Sequence, residues 1–226
     1  MSFPRAGALT ALLALATLVA GPLAAAEDGA TASGEQIATA GNGKGSAPCM
    51  SCHGADGSGN AAGGFPVIAG QDAGYMARQL TLIREGKRTS PVMAPIVGSL
   101  TDDEIQAVSA YYGAMPKVAS SAEPPAEDAA AVALALVQDG DWPGRDLPAC
   151  NRCHGPGARG VDASFPGLAG QHASYLKSQL EAFRDGTRKT DPGDLMGTVA
   201  RKLTDDEIAA LSGWLAAQPA VRPEAN

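Results

Sequence analysis

Cys49-Met50-Ser51-Cys52-His53 and Cys150-Asn151-Arg152-Cys153-His154 decide the reading of this chain. Both are C-x-x-C-H, the spacing at which two thiols form thioethers to one heme and the next histidine ligates its iron. The chain has 4 cysteines, and these two motifs use them all. Two covalently bound heme c groups are therefore expected, attached through Cys49, Cys52, Cys150 and Cys153, with His53 and His154 as iron ligands. Disulfides give no reason for a histidine directly after each pair. A four-thiolate zinc site would require two pairs about 100 residues apart to converge, although each is complete within its own repeat.

The repeat is the second signal. Phe65-Pro66-Val67-Ile68-Ala69-Gly70-Gln71 returns as Phe165-Pro166-Gly167-Leu168-Ala169-Gly170-Gln171. Tyr75, Gln79, Leu80, Arg84, Gly86 and Arg88 return as Tyr175, Gln179, Leu180, Arg184, Gly186 and Arg188, at a spacing of 100. The spacing then becomes 103, with Met93 matching Met196 and Leu100–Ile105 matching Leu203–Ile208. One heme per repeat is the economical organisation.

The periodicity is helical. Residues 72–84 and 172–184 carry apolar positions at helical spacing, and Gly86 and Gly186 are natural stops. Thr101 with Glu104, and Thr204 with Glu207, read as capping boxes. The helices that follow place Ile105, Val108, Tyr112 and Ile208, Leu211, Leu215 on one face, and Pro116 and Pro219 end them. Residues 128–138 read as the first helix of the second repeat. Its counterpart near residues 34–40 is weaker. The expected fold is all-α, with no β-rich segment.

Histidine arithmetic limits the remaining iron ligands. The chain has 3 histidines, His53, His154 and His172, so two bis-histidine hemes are impossible. His172 matches Asp72 and reads as an exposed surface or cap residue. Among the methionines after residue 27, only Met93 and Met196 recur in register. They follow their heme histidines by 40 and 42 residues, in loops before the last helix of each repeat, where a thioether can cross to the far heme face. A methionine is more often core packing; the repeat reverses that prior, and Met93 and Met196 are the expected sixth ligands.

Residues 1–26 read as a secretory signal peptide. Arg5 precedes an apolar run, and Ala24-Ala25-Ala26 offers a cleavage site. The run is short for a membrane span. A periplasmic location follows. Residues 27–119 form the expected first domain, 120–127 a Pro-containing linker and 128–226 the second domain. The whole chain has 17 Lys and Arg against 24 Asp and Glu, a formal net charge of −7, which disfavours nonspecific nucleic-acid binding.

The ordered set C-x-x-C-H-G, F-P-x-hydrophobic-A-G-Q, Y-x-x-x-Q-L, R-x-G-x-R, loop methionine and L-T-D-D-E-I, present twice, resembles the diheme class I cytochromes c of the cytochrome c4 type, across nearly all of residues 30–219. The resemblance implies tandem class I cytochrome c-like domains, each wrapped around one covalent heme. It implies that the backbone carbonyls of Pro66 and Pro166 accept the ring N–H groups of His53 and His154. Arg84, Arg88, Arg184 and Arg188 would serve propionates or interdomain contacts, or stay as solvated helix-end charges. Tyr75, Tyr175, Gln79 and Gln179 would be structural hydrogen-bonding groups near the hemes.

The repeats also differ. Met93 precedes Ala94-Pro95, whereas Met196 precedes Gly197-Thr198, and residues 139–147 have no close match in the first repeat. Unequal heme potentials are therefore expected.

The functional expectation is a diheme periplasmic electron carrier without substrate chemistry of its own. It would exchange electrons with periplasmic or membrane-bound redox proteins. The resemblance implies a quinol-oxidising complex as donor and a terminal oxidase or other periplasmic enzyme as acceptor. One alternative is the cytochrome subunit of a larger dehydrogenase, such as a flavocytochrome. Another is a heme-dependent oxidoreductase, such as a peroxidase or a thiosulfate-oxidising dehydrogenase. Neither loop offers a distal catalytic histidine for that role.

Overall fold

The structure, a computed structural model, describes residue 1 and residues 33–118 and 122–220. The expected signal peptide, apart from Met1, lies outside the described residues. Among the described residues the fold is all-helical, with isolated β-bridges and no sheet. No helix among them is long and apolar enough to cross a membrane.

The first half contains α1 (described over residues 33–40), α2 (Met50–His53), α3 (Ala73–Arg84), α4 (Met93–Val97) and α5 (Asp102–Ala114). The second contains α6 (Glu127–Gln138), α7 (Trp142–Arg145), α8 (Asn151–His154), α9 (Ala173–Arg184), α10 (Leu195–Ala200) and α11 (Asp205–Ala217). Helix α6 starts at Glu127, inside the expected linker.

Local chemistry sets these boundaries. Thr101 accepts from the Glu104 backbone N–H at 3.2 Å and the Glu104 carboxylate accepts from Thr101 N–H at 2.9 Å; Thr204 and Glu207 repeat both bonds. Each box satisfies two helix-start donors that would otherwise lack partners. Asp72 caps α3 through the Tyr75 N–H at 2.8 Å. The chain leaves α3 and α9 through Gly86 and Gly186, whose φ angles of 71° and 73° disfavour any residue with a Cβ.

In the first half, α3 packs against α5, and Ile37, Ile83, Val97, Ile105, Val108 and Tyr112 share one buried cluster. In the second, α11 packs against α6 and α9 over a cluster containing Val137, Leu176, Ile208, Leu211 and Leu215. The apolar stripes read from the sequence are the faces that meet.

The two halves join through reciprocal contacts, as in an isologous interface. Gln71 donates to Gly167 O at 2.9 Å and accepts from Gly167 N–H at 3.1 Å. Gln171 donates to Val67 O at 2.8 Å and accepts from Val67 N–H at 2.9 Å. These two glutamines grip the residues directly after Pro66 and Pro166, so the interface is built onto the segments that face the two histidines.

Candidate heme sites

Each C-x-x-C-H motif forms a single helical turn, α2 or α8, stopped by a glycine. Gly54 and Gly155 have φ of 78° and 76°, which lets the chain reverse beneath the histidine. The returning loop brings Pro66 and Pro166 to the imidazoles. His53 Nδ1–H donates to Pro66 O at 2.9 Å, and His154 Nδ1–H donates to Pro166 O at 2.8 Å. Phe65 and Phe165 meet the rings edge-on, with centroids 6.1 and 6.2 Å away.

That bond selects the tautomer: with Nδ1 protonated, Nε2 presents its lone pair. Burial lowers the pKa of both imidazoles, against the opposing effect of the proline carbonyls, and so favours the neutral ligating form. The His154 Nε2 atom is buried and has no hydrogen-bond partner among the described residues. An orphaned acceptor of this kind calls for a ligand.

Both histidines face one continuous cavity of about 890 Å³. Its lining includes Cys49 and Met93 from the first half, and Cys150, Cys153 and Met196 from the second. Burial raises the pKa of the Cys49 thiol and pushes that of Cys150 up to about 11. These surroundings favour neutral sulfur, as in a thioether, over a thiolate. No disulfide joins the four cysteines, and no group of three or more His, Cys, Asp or Glu is placed to hold a metal ion among the described residues. The pocket thus suits a large apolar body carrying its own metal.

The methionines differ from expectation in their local structure. They lie in short helices, not loops: Met93 opens α4, and Met196 is the second residue of α10. Side-chain acceptors start these turns. Met93 N–H meets Ser90 Oγ at 3.4 Å, and Met196 N–H meets Asp191 Oδ2 at 2.6 Å. The extra residues of the second repeat form a 3₁₀ turn at Pro192–Asp194. His172 takes the cap position read for it but departs from expectation in its side chain. It stands at the α9 N-cap without a side-chain cap bond, and its Nε2 is buried and unpartnered rather than exposed.

The repeated arginines divide by role. Arg84 pairs with Leu100 O and Asp102, and Arg184 with Asp205, each within its own half. Arg88 crosses to Tyr175 Oη at 2.8 Å and Gln179 Oε1 at 3.1 Å. Arg188 crosses to Tyr75 Oη at 3.2 Å and Gln79 Oε1 at 3.0 Å. All six residues line the shared cavity. Burial opposes the Arg88 charge, but Tyr175 and Tyr75 outweigh it and raise its pKa.

Sequence reasoning missed four further polar groups. Ser109 and Tyr112 line the cavity with buried, unpartnered hydroxyls, and Ser212 has the same unpartnered hydroxyl at the matching position of α11. The recurrence of Ser109 at Ser212, in the 103-residue register, was the available signal. Arg78 also lines the cavity with a buried, unpartnered Nε, where the second half has Ser178.

Comparison with known proteins agrees with this geometry. The Cytochrome c family model matches residues 31–115 and 143–218. The thiosulfate dehydrogenase electron acceptor of Stutzerimonas stutzeri is 48% identical over 186 residues, covering 82% of this chain and 86% of that protein. The reduced recombinant cytochrome c4 structure from Pseudomonas stutzeri superposes with a TM-score of 0.73 at 31% identity, covering 84% of this chain and 98% of that one. A thiosulfate dehydrogenase structure from Marichromatium purpuratum superposes with a TM-score of 0.79 at 46% identity over 84% of this chain; the match spans only 40% of that longer protein. The chain belongs to the cytochrome c family, as a diheme class I c-type cytochrome related to cytochrome c4 that carries two covalently bound heme c groups and transfers electrons.

Proposed function

We propose that this protein is the electron-accepting cytochrome of a dehydrogenase, with a thiosulfate-oxidising enzyme as its donor. The observation that carries the reading is the 48% identity to a protein named as a thiosulfate dehydrogenase electron acceptor, over most of both chains. It favours the dehydrogenase-partner alternative over a free-standing shuttle. Relatives named as electron acceptors also match a carrier without substrate chemistry of its own.

Heme c supplies a one-electron iron couple. In each half the cysteine pair would anchor the group, and the C-x-x-C-H histidine together with Met93 or Met196 would ligate its iron. With both ligands drawn from the protein, these residues would leave no place for substrate at the metal. The proline carbonyls hold the imidazole rings in one orientation and increase their donor strength. The apolar walls exclude water and so help set the redox energy. Because both sites open into one cavity, an electron entering one half would pass to the other within the protein.

The reading places the protein in the periplasm, with the terminal oxidase or another periplasmic enzyme as the acceptor. The test is direct. Oxidised holoprotein is mixed with a purified thiosulfate dehydrogenase, and heme absorbance is followed after thiosulfate is added. Reduction of both hemes is expected only when enzyme and thiosulfate are both present. Reduction by a quinol-oxidising complex, with none by the dehydrogenase, would restore the respiratory-shuttle reading.

A further inference from the structure

The interface between the halves is reciprocal at its two glutamines and two arginines, but one lysine has no counterpart. Gly70 and Gly170 take equivalent places. Gly70 N–H donates to Tyr112 O at 2.8 Å, and Gly170 N–H donates to Leu215 O at 3.0 Å. A methyl group built on Gly70 would meet the Lys117 side chain at 2.3 Å; one built on Gly170 would meet the Ala220 methyl at 2.9 Å. Lys117 and Ala220 are thus partners in the repeat. One carries a long cationic side chain, and the other carries none.

Lys117 crosses into the second half. Its Nζ donates to Arg159 O at 2.9 Å. A methyl built on Gly167 would lie 3.0 Å from this Nζ and 2.7 Å from Arg159 O, so the ammonium sits against the Pro166–Gly167 segment. Gln71 holds the same segment from the first half. Pro166 O is the acceptor for the His154 ring. The ammonium therefore stands one peptide away from the group that orients the second heme's histidine. No carboxylate forms a salt bridge with it among the described residues, and the nearest named charge is the like-charged Arg159. Burial and that neighbour lower its pKa.

We infer that Lys117 is a positioning and tuning residue for the second heme, raising its reduction potential relative to the first. Two effects act in the same direction. A half-buried positive charge stabilises the reduced state, which carries one positive charge fewer, and it does so more strongly than it would in water. The same charge draws electron density from the adjoining peptide. Pro166 O then becomes a weaker acceptor and His154 a weaker donor to iron, which again favours reduction. In the first half, Gln171 grips Val67 as Gln71 grips Gly167, but Ala220 stands where the lysine would be. The repeat is thereby electrostatically polarised, and an electron arriving at the first heme is drawn toward the second. This polarity is independent of which partner donates the electron.

The inference rests on His154 as an iron ligand, which its paramagnetically shifted ring signals check in the wild-type holoprotein. Each heme is then titrated separately through the ring signals of His53 or His154. Lys117→Gln keeps a hydrogen-bond donor and removes the charge; Lys117→Arg keeps the charge. In Lys117→Gln the second heme's reduction equilibrium is expected to fall about tenfold, which is about 59 mV for one electron, with the first heme unmoved. Lys117→Arg is expected to retain the wild-type value. Wild-type potentials in Lys117→Gln, or equal shifts at both hemes, would overturn the inference.

Discussion

Arg88 and Arg188 pair their backbones in an isolated antiparallel bridge, and each sends its guanidinium into the opposite half. The acceptors are neutral: two tyrosine hydroxyls and two glutamine oxygens. Two like charges thus share the centre of the molecule without a carboxylate partner in these bonds. Such an arrangement needs negative charge from elsewhere. The propionates of two heme groups would supply such anions to the cavity that both arginines line, and cofactor and interface would then stabilise one another.

This coupling predicts that Arg188→Met destabilises the holoprotein. Arg188 is only 7% exposed, and its loss strands Tyr75 Oη and removes one of the two arginine donors to Gln79 Oε1 and to Gln179 Oε1. Charged hydrogen bonds of this kind contribute roughly 1.5–3 kcal/mol, so a loss of about 2–3 kcal/mol is expected in denaturant unfolding. The same variant should weaken the redox coupling between the hemes. Unchanged stability would mean that the guanidinium carries no share of the interface.

The axial assignment makes a selective prediction. Met93→Ala should remove methionine ligation from the first heme only, and Met196→Ala from the second only. Each variant should bind an external ligand such as imidazole at one heme while intact mass still shows two attached groups. A folded variant with unchanged axial-ligand spectra would reassign that methionine. Dispersion contacts alone would not give a heme-specific change.

Much of this architecture was legible because it is local. C-x-x-C-H fixes its own single turn, Thr101 and Glu104 write their capping box within four residues, and the apolar stripes of α3, α5, α9 and α11 follow from helical spacing. What stayed hidden depends on contacts between distant segments. Gln71 and Gln171 were visible as repeat residues, but nothing local shows that each reaches the other half. Met93 and Met196 looked like loop residues because Ser90-Pro91 and Pro192-Gly193 break the pattern just before them; side-chain acceptors then restart a helical turn. His172 looked like a surface cap, yet its Nε2 is buried.

The paired capping boxes predict equal local costs in the two halves. Thr101→Ala and Thr204→Ala each remove the hydroxyl acceptor of a helix-start N–H and leave the reciprocal backbone N–H to glutamate bond in place. A loss of about 1 kcal/mol is expected for each, read from thermal or denaturant unfolding. The two sites lie in opposite halves and share no hydrogen-bond partner, so their effects should add. Loss of heme from either variant would contradict a purely local role.

The halves should differ in their response to acid. In the second half, Glu207 receives a bidentate pair from Arg145, at 2.9 and 2.8 Å, and Arg145 also binds Asp141 at 2.6 Å. This clamp is built on α7, the segment without a match in the first repeat. There the equivalent Glu104 meets Asn42 at 3.2 Å and Lys44 only at 3.6 Å. The Arg145 bonds are the leading cause that holds the Glu207 pKa below its ordinary 4.5, with burial opposing them. A carboxylate with a depressed folded-state pKa contributes stability that is fully present above the unfolded value. That contribution is lost as pH falls below 4.5 through the folded pKa. Glu207→Gln should therefore lower stability at neutral pH and flatten its decline below pH 4.5. Unfolding measured at pH 7 and at stepped acidic values checks both parts. A variant whose stability falls with acid as steeply as wild type would place the acid sensitivity on other carboxylates.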